Sequence, residues 1–366
     1  MIIGVPKEIK TGENRIAVTP GAVRVLVNAG HKVLIEAGAG AGSTIEDNQL
    51  AYAGAEMVSG PEEIYRRAEM IYKVKEPHPS EYALLREGQI LFAYLHLAAA
   101  PEVTRVLMER KVVAVAYETV SVGGALPMLV PMSEIAGRMA TQIGAHFLER
   151  SNGGKGLLLG GVPGVTPAEV VILGGGIVGV NAARVAMGMG ARVTVIDINV
   201  ERLRHLDGAN GGRLVTLYSN PHNIAQAVAG ADLLIGAVLI PGGRTPLLCT
   251  REMVESMQPG AVIIDVAIDQ GGCIETMDRL TCHSKPTFER YGVLHYAVPN
   301  IPGAVPQTST YALSNATLPY ALELANKGWE RIAAEKKPLS QGLNVVYGKI
   351  VNRAVAEALS LEYMPL

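Results

Sequence analysis

Val170-Val-Ile-Leu-Gly174-Gly-Gly176-Ile-Val-Gly179, followed by Arg192-Val-Thr-Val-Ile-Asp197, decides the fold of this 366-residue chain. A four-residue apolar run ends in G-x-G-x-x-G and a helix-like segment, Val180 to Met189, follows. A second apolar run then stops on an acidic residue 23 positions after the first glycine. That order and length describe a dinucleotide-binding βαβ unit. Gly174 permits the tight strand-to-helix turn, Gly176 lets the backbone approach a pyrophosphate, and Gly179 lets the helix pack close to the sheet. The pyrophosphate charge would sit on free N–H groups at the helix N-terminus. Among 41 glycines a bare G-x-G-x-x-G arises by chance; the flanking strands, the helix and the terminal acid make this one specific. A carboxylate at Asp197 can accept both ribose hydrogen bonds and repels a 2′-phosphate, which favours NAD over NADP. Arg202, five residues on, reads as an ordinary helix residue that could cover the adenine.

The length implies two domains, each large enough to bury its own core. A hydrophobic content of 49% with 18% charged residues suits a compact α/β protein, and a net charge of −2 leaves no electrostatic footprint for nucleic acid or an anionic membrane. Cys249, Cys273 and Cys282 show neither metal nor C-x-x-C spacing, so free thiols in a reducing compartment are expected and no metal site. Lys7, Glu8 and Lys10 interrupt the N-terminus as a secretory signal would not. The longest uncharged stretch, Tyr291 to Leu322, contains Pro299, Pro302, Pro306 and Pro319 and cannot be a membrane helix. The chain reads as cytoplasmic.

Working outward from the fingerprint, strand and helix signals alternate on both sides. Ile2–Val5, Lys32–Glu36, Met70–Val74, Gln89–Leu95 and Val112–Ala116 read as buried strands; Pro20–Ala29, Pro61–Ala68 and Pro101–Arg110 read as helices opened by proline. A long helix is expected at Met132–Arg150, and after Asp197 strands at Arg213–Leu217, Leu233–Val238, Ala261–Ala267 and Val293–Val298. The expected fold class is α/β with two mainly parallel sheets: a Rossmann domain at 129–305, and a discontinuous Rossmann-like domain from 1–128 and 306–366, with a cleft between. From Pro302 onward no strand signal is evident. Helical patterns at 305–327 and 342–360 are expected to return to the first domain.

Open α/β sheets place their sites at the carboxyl ends of strands. Lys75, His96, Asp269 and Asn300 each follow an apolar run, and Arg15 lies in the loop after the first strand. Each has an ordinary structural alternative: a turn lysine, a semi-buried histidine, or Asx-turn residues at Asp269 and Asn300. Asp265, inside its strand, reads as a structural hydrogen-bonding group. Together, however, Arg15 and Lys75 suit one carboxylate, Arg15 through a bidentate fork, and His96 suits proton transfer near neutral pH. No nucleophile elbow, zinc spacing or H-E-x-x-H is present. Hydride transfer to NAD from a carbon bearing a carboxylate and an amine or hydroxyl fits what remains.

Eight segments carry a resemblance across essentially the whole chain. They are Gly4-Val-Pro-Lys-Glu8, Glu13-Asn-Arg-Ile-Ala-Val-Thr-Pro20, Lys73-Val-Lys-Glu-Pro77, Tyr94-Leu-His-Leu-Ala98, Ala116-Tyr-Glu-Thr119, Pro131-Met-Ser-Glu134, Asp269-Gln-Gly-Gly-Cys273 and Pro306-Gln-Thr-Ser-Thr310. Together they resemble the alanine dehydrogenase family. The resemblance implies reversible NAD-dependent oxidative deamination of L-alanine to pyruvate and ammonia by a homohexamer. It implies that His96 and Asp269 handle protons, and that Arg15, Lys75 and Asn300 hold the substrate. It further implies cofactor contacts from Ser133, Gly174, Gly176, Val178, Gly179, Asp197, Arg202, Ser219, Val238, Leu239, Val266, Ala267, Ile268, Asp269, Arg279, Val298, Pro299, Asn300 and Ile301. One departure is Pro299, where the family commonly has a small residue. Proline fixes φ and removes an N–H, which bears on the backbone contact carried over to that position and leaves the Asn300 side chain its role. Two alternatives are the soluble NAD-binding component of a membrane transhydrogenase and a non-catalytic NAD sensor. The His96-Leu-Ala and Asp269-Gln-Gly-Gly orders argue against the first, as does the lack of downstream membrane helices. The intact polar set argues against the second.

Overall fold

Near-continuous aliphatic runs, as opposed to alternating ones, mark strands covered on both faces, and both sheets of the protein are built from such runs. The structure, a computed structural model, describes residues 1–238, 245–268 and 271–366. The chain divides into two compact units, Met1–Met132 with Val305–Leu366, and Ser133–Ala304.

The first unit contains six parallel strands, β1 (Ile2–Val5), β2 (Lys32–Glu36), β3 (Glu56–Val58), β4 (Met70–Tyr72), β5 (Ile90–Ala93) and β6 (Val113–Ala116). They lie side by side as 3-2-1-4-5-6, the doubly wound order whose reversal falls between β1 and β4. The second unit repeats the plan with β7 (Glu169–Leu173), β8 (Arg192–Asp197), β9 (Leu214–Tyr218), β10 (Leu233–Gly236), β11 (Val262–Asp265), β12 (Thr287–Arg290) and β13 (Val293–Tyr296). Here the order is β9-β8-β7-β10-β11-β13-β12, with only the edge strand β12 antiparallel. Along β7, Val170 and Ile172 join one buried cluster, and Val171 and Leu173 join another. The two-residue side-chain period thus feeds two cores at once.

The C-terminal segment departs from the expected helical pair. Pro306–Lys327 is a helix, but 342–360 is not. That stretch holds β14 (Leu343–Val346), β15 (Lys349–Ile350) and a short helix, Arg353–Leu359. β14 pairs antiparallel with β6, Leu343 opposite Val115, and β15 pairs with β14. A run as short as Leu343-Asn-Val-Val346 has no decisive period; it becomes a strand because the distant β6 edge offers it hydrogen bonds. β3 and β12 are short edge strands of mixed polarity, and neither forms an apolar run in the sequence.

The helix Pro306–Lys327 grips the first unit through a buried stripe of hydroxyls. The Ile16 N–H donates to Thr310 Oγ1 (3.1 Å), the Thr19 N–H donates to Ser314 Oγ (3.2 Å), and the Tyr72 hydroxyl bonds with Thr317. Spacings of four and three residues put all three hydroxyls on one helical face. This stripe anchors both ends of the segment that follows Arg15.

The helix Val130–Phe147, which belongs to the second unit from Ser133 onward, crosses the helix Ile177–Gly188 at Gly137, where a Cβ would fall 2.1 Å from the Val178 carbonyl oxygen. Thr141 Oγ1 donates to the Ala182 carbonyl (2.9 Å) and Arg138 Nε to Asn181 Oδ1 (3.0 Å), fixing the crossing. Gly137→Ala is expected to destabilise the protein by about 1–3 kcal/mol, the usual cost of overpacking. Gly188→Ala, which meets nothing within 4 Å, is expected to be neutral or slightly stabilising by helix propensity. Thermal melts of both variants check this, and equal melting temperatures would contradict the close crossing.

Candidate active site

Three neighbouring strands of the first unit, β5, β4 and β1, end at the same edge of the sheet. His96 follows β5, Lys75 follows β4, and Arg15 lies on the loop after β1. The structure therefore brings these three groups to one edge, with Arg15 and Lys75 on the two sides of the strand-order reversal.

Each is held by a carboxylate. Glu13 accepts from the Arg15 Nε (2.6 Å), from its Nη2, and from its backbone N–H (3.1 Å). Burial opposes ionisation of both, yet their pairing holds the Glu13 carboxyl below its usual range and the guanidinium firmly charged. The fork expected to grasp a substrate carboxylate is thus engaged along its Nε edge by Glu13, while Nη1 approaches Met132 Sδ at 3.0 Å. Burying a guanidinium without a fixed counter-charge would be too costly, and Glu13 supplies that charge.

Glu8 accepts from the backbone N–H groups of Val74 (2.7 Å) and Lys75 (3.4 Å), fixing the chain just past β4. Glu8 belongs to a buried cluster in which Lys73 Nζ lies 3.5 Å from Glu8 Oε2 and 2.9 Å from Glu81 Oε1. Tyr65 donates its hydroxyl to Glu81 (2.8 Å). Burial pushes the Glu8 carboxyl up, against the pull of Lys73.

Lys75 itself is half-buried, and among the described residues nothing pairs with its ammonium. Burial first, and the Arg15 guanidinium second, push its pKa below the ordinary lysine value. Two cations sharing an edge make a site for an anion.

His96 is exposed and takes left-handed backbone angles, φ 50° and ψ 38°, a conformation that costs a non-glycine residue about 1–2 kcal/mol. Its backbone N–H donates to Glu118 Oε1 (2.6 Å), and its ring lies parallel to that of Tyr94 with centroids 5.9 Å apart.

In the second unit the glycine fingerprint is built as its spacing implied. Gly174 has φ +101°, and a Cβ there would meet the Ala237 carbonyl oxygen at 2.8 Å; one at Gly179 would meet the Gly174 oxygen at 1.8 Å. Gly176 faces open space at the start of the helix Ile177–Gly188. Asp197, at the end of β8, accepts from the N–H groups of Gly175 (2.6 Å) and Asn199 (2.8 Å), and Arg202 Nε donates to the Gly175 carbonyl (2.6 Å). A carboxylate, a guanidinium and a bare helix N-terminus thus surround one turn. They suit a dinucleotide's ribose and pyrophosphate.

Models of two family domains match the chain: "Alanine dehydrogenase/PNT, N-terminal domain" over residues 4–136, and "Alanine dehydrogenase/PNT, C-terminal domain" over residues 140–353. The chain belongs to the alanine dehydrogenase/PNT family. An alanine dehydrogenase from Methanococcus maripaludis is 60% identical over 366 residues, covering 100% of this chain and 98% of the relative. Another from Bacillus subtilis is 58% identical over 365 residues, covering 100% and 96%. A solved L-alanine dehydrogenase superposes with a TM-score of 0.95 at 53% identity over 98% of this chain and 99% of its own. A transhydrogenase from Sinorhizobium meliloti shares the fold, with a TM-score of 0.82 at 24% identity over 97% and 100%.

Of the positions at which the alanine dehydrogenase/PNT resemblance implied a role, Asp269 and Leu239 lie outside the described residues. Val178 lies in the first turn of the helix after the fingerprint, and Ser133 in the first turn of Val130–Phe147. Ser219 follows β9, with its N–H donating to the Asp197 carbonyl (3.0 Å); Val238 follows β10; Val266, Ala267 and Ile268 follow β11. Val298, Pro299, Asn300 and Ile301 follow β13, and Asn300 holds φ 57°, which its short amide side chain tolerates. Arg279 pairs with Asp278 (3.0 Å) and lies over the Phe288 ring (4.8 Å). Asp265 has the structural role expected of it, accepting from the N–H groups of Ala267 (3.1 Å) and Cys273 (2.8 Å).

Sequence reading missed Glu8, Glu13 and Glu118. Each stands in a segment that carries the resemblance, yet the bonds of Glu8 and Glu118 span 66 and 22 residues, beyond any local pattern. It also missed Ile198, next to Asp197, whose apolar side chain is 72% exposed and suits the face of a flat ring.

Lys75 loses proton affinity on folding. Its cost to stability is therefore fully present below the folded-state pKa and fades as pH rises through that value toward the ordinary 10.5. Lys75→Met is expected to raise the melting temperature at neutral pH, by an amount that shrinks as the solution becomes strongly alkaline. An unchanged or lowered melting temperature at neutral pH would argue against an uncompensated cation at this edge.

Proposed function

We propose that this protein catalyses the reversible NAD-dependent oxidative deamination of L-alanine to pyruvate and ammonia. The observation that carries the reading is the convergence of Arg15, Lys75 and His96 on the ends of three adjacent strands, in a chain 60% identical over its full length to an alanine dehydrogenase. What supports NAD as the cofactor is the open space at Gly176 together with the Asp197 carboxylate. When bound, NAD supplies the acceptor for the hydride that leaves the α-carbon.

The protein's own groups do the rest. Arg15 and Lys75 bind and orient the substrate carboxylate and carbonyl. The amine must be neutral before an iminium can form, and His96 takes its proton. Water then adds to the iminium carbon and gives up a proton, the C–N bond breaks, and ammonia leaves with a proton returned through His96. Asp269 assists these transfers, and Asn300 completes the substrate contacts. Gly174, Gly176, Val178, Gly179, Asp197, Arg202 and Ser219 are read as cofactor contacts on the fingerprint side of the second sheet. Ser133, Val238, Leu239, Val266 to Asp269, Arg279 and Val298 to Ile301 are read as its remaining contacts. Kinship with the family supports a homohexamer and a cytoplasmic location. It also supports the division of labour between a substrate domain, 1–128 with 306–366, and an NAD-binding domain, 129–305.

NADH formation followed in the ultraviolet with L-alanine, L-serine, glycine or no amino acid tests the activity; a rate independent of the amino acid overturns it. His96→Ala is expected to lower turnover by about 10²–10⁴-fold while NAD still binds, and near-wild-type turnover would remove His96 from the mechanism. Asp197→Ala is expected to weaken NAD binding and narrow the preference over NADP; an unchanged cofactor preference would exclude the ribose role.

A further inference from the structure

We propose that Glu118 is the positioning residue for His96, setting the direction of the imidazole through the backbone. The inference rests on the proton-transfer role read for His96 above and extends it to a second residue.

His96 sits at φ 50°, ψ 38°, where a residue with a Cβ stays only if its surroundings hold it. The His96 carbonyl accepts from the Ala99 N–H (2.9 Å), and on the N-terminal side the holding group is a carboxylate. Glu118 lies just past β6, the strand beside β5, on a single helical turn, Tyr117–Thr119. Its Oε1 receives the His96 N–H at 2.6 Å and the Leu95 N–H at 3.2 Å, and Oε2 receives the Leu95 N–H at 3.3 Å. Two successive backbone donors therefore meet one anion, the His96 N–H through a short, charge-assisted bond and the Leu95 N–H through longer, shared ones. They fix the peptide planes on the N-terminal side of His96, and with them the direction of its Cα–Cβ bond.

The imidazole plane has its own support. The Tyr94 ring lies 5° from parallel to it, and the Tyr94 hydroxyl is tied to the Met128 carbonyl. Glu118 sets where the side chain starts and Tyr94 sets the face against which it lies. Tyr117, beside Glu118, is completely buried and donates its hydroxyl to the Lys73 carbonyl (2.7 Å). The turn carrying Glu118 is thereby tied to the strand end that carries Lys75.

Reach, more than charge, is what this role demands. Glu118→Asp keeps the charge but withdraws the oxygens by one methylene, so the two N–H groups lose their acceptor. Glu118→Gln keeps an oxygen at full reach. In steady-state assays with L-alanine and NAD, Glu118→Asp is expected to lower kcat by about tenfold or more, part of the usual general acid–base contribution. The KM for L-alanine is expected to stay within about threefold, since the carboxylate-binding groups are untouched. The solvent deuterium isotope effect on kcat is expected to rise, because proton transfer becomes slower relative to the other steps. Glu118→Gln is expected to stay within about threefold of wild type on all three measures. Wild-type-like Glu118→Asp, a loss that appears mainly in KM, an unchanged isotope effect, or Glu118→Gln as impaired as Glu118→Asp would each overturn the role. Wild-type protein that forms no NADH with L-alanine would instead overturn the activity itself, so the two failures are distinguishable.

Discussion

Carboxylates that accept hydrogen bonds from the backbone hold the candidate substrate edge in shape. A chain leaving the carboxyl end of a parallel strand has N–H groups with no further ladder partner, and a buried donor left unpaired is costly. In the first unit those donors are met by side chains instead of by more strand. Glu8 serves the end of β4, Glu118 the end of β5, and Glu13 the loop after β1, each beside one of the cations or the histidine. The negative charges keep neighbouring cations from repelling one another apart, while burial and the Arg15 guanidinium leave Lys75 with a lowered pKa and, among the described residues, no fixed partner. An edge that would otherwise be three loops becomes a rigid set of chain directions.

The second unit solves a different problem with smaller groups. There the backbone must come close to itself and to a ligand, so glycine replaces carboxylate as the critical residue. At Gly179 and Gly174 the protein's own carbonyl oxygens exclude a Cβ, while at Gly176 nothing does. Two of the three fingerprint glycines are therefore explained by folding alone, and the third by the space it leaves open. Asp197 links the two demands, since its carboxylate closes the turn through the Gly175 N–H while remaining half-exposed.

Much of this was legible in the chain because parallel sheets write themselves as apolar runs and their sites fall at the ends of those runs. Ile2–Val5 and Lys32–Glu36 are legible to the residue; Lys75 and His96 come from asking which polar groups close a run, and Arg15 from the loop that follows the first strand at the same edge. What escaped reading depended on distant partners. Leu343–Val346 is a strand only because β6 lies open beside it. Glu8 and Glu118 matter only because donors far along the chain reach them. The occupied edge of Arg15 was hidden for the opposite reason. Its partner Glu13 is two residues away, but nothing in a sequence says that a local ion pair will be buried rather than solvated.

The antiparallel seam between β6 and β14 has a consequence for biosynthesis. All residues of the second unit lie between the two halves of the first, so the ribosome completes a contiguous Rossmann-type unit while β6 still ends an unfinished sheet. At about 5–20 residues per second, the interval before β14 emerges is on the order of ten seconds or more. Through that time a row of backbone donors and acceptors flanked by Val113 and Val115 stands unpaired, the kind of edge that other chains can join. The nascent protein therefore passes through a stage in which its middle is native and its beginning is adhesive.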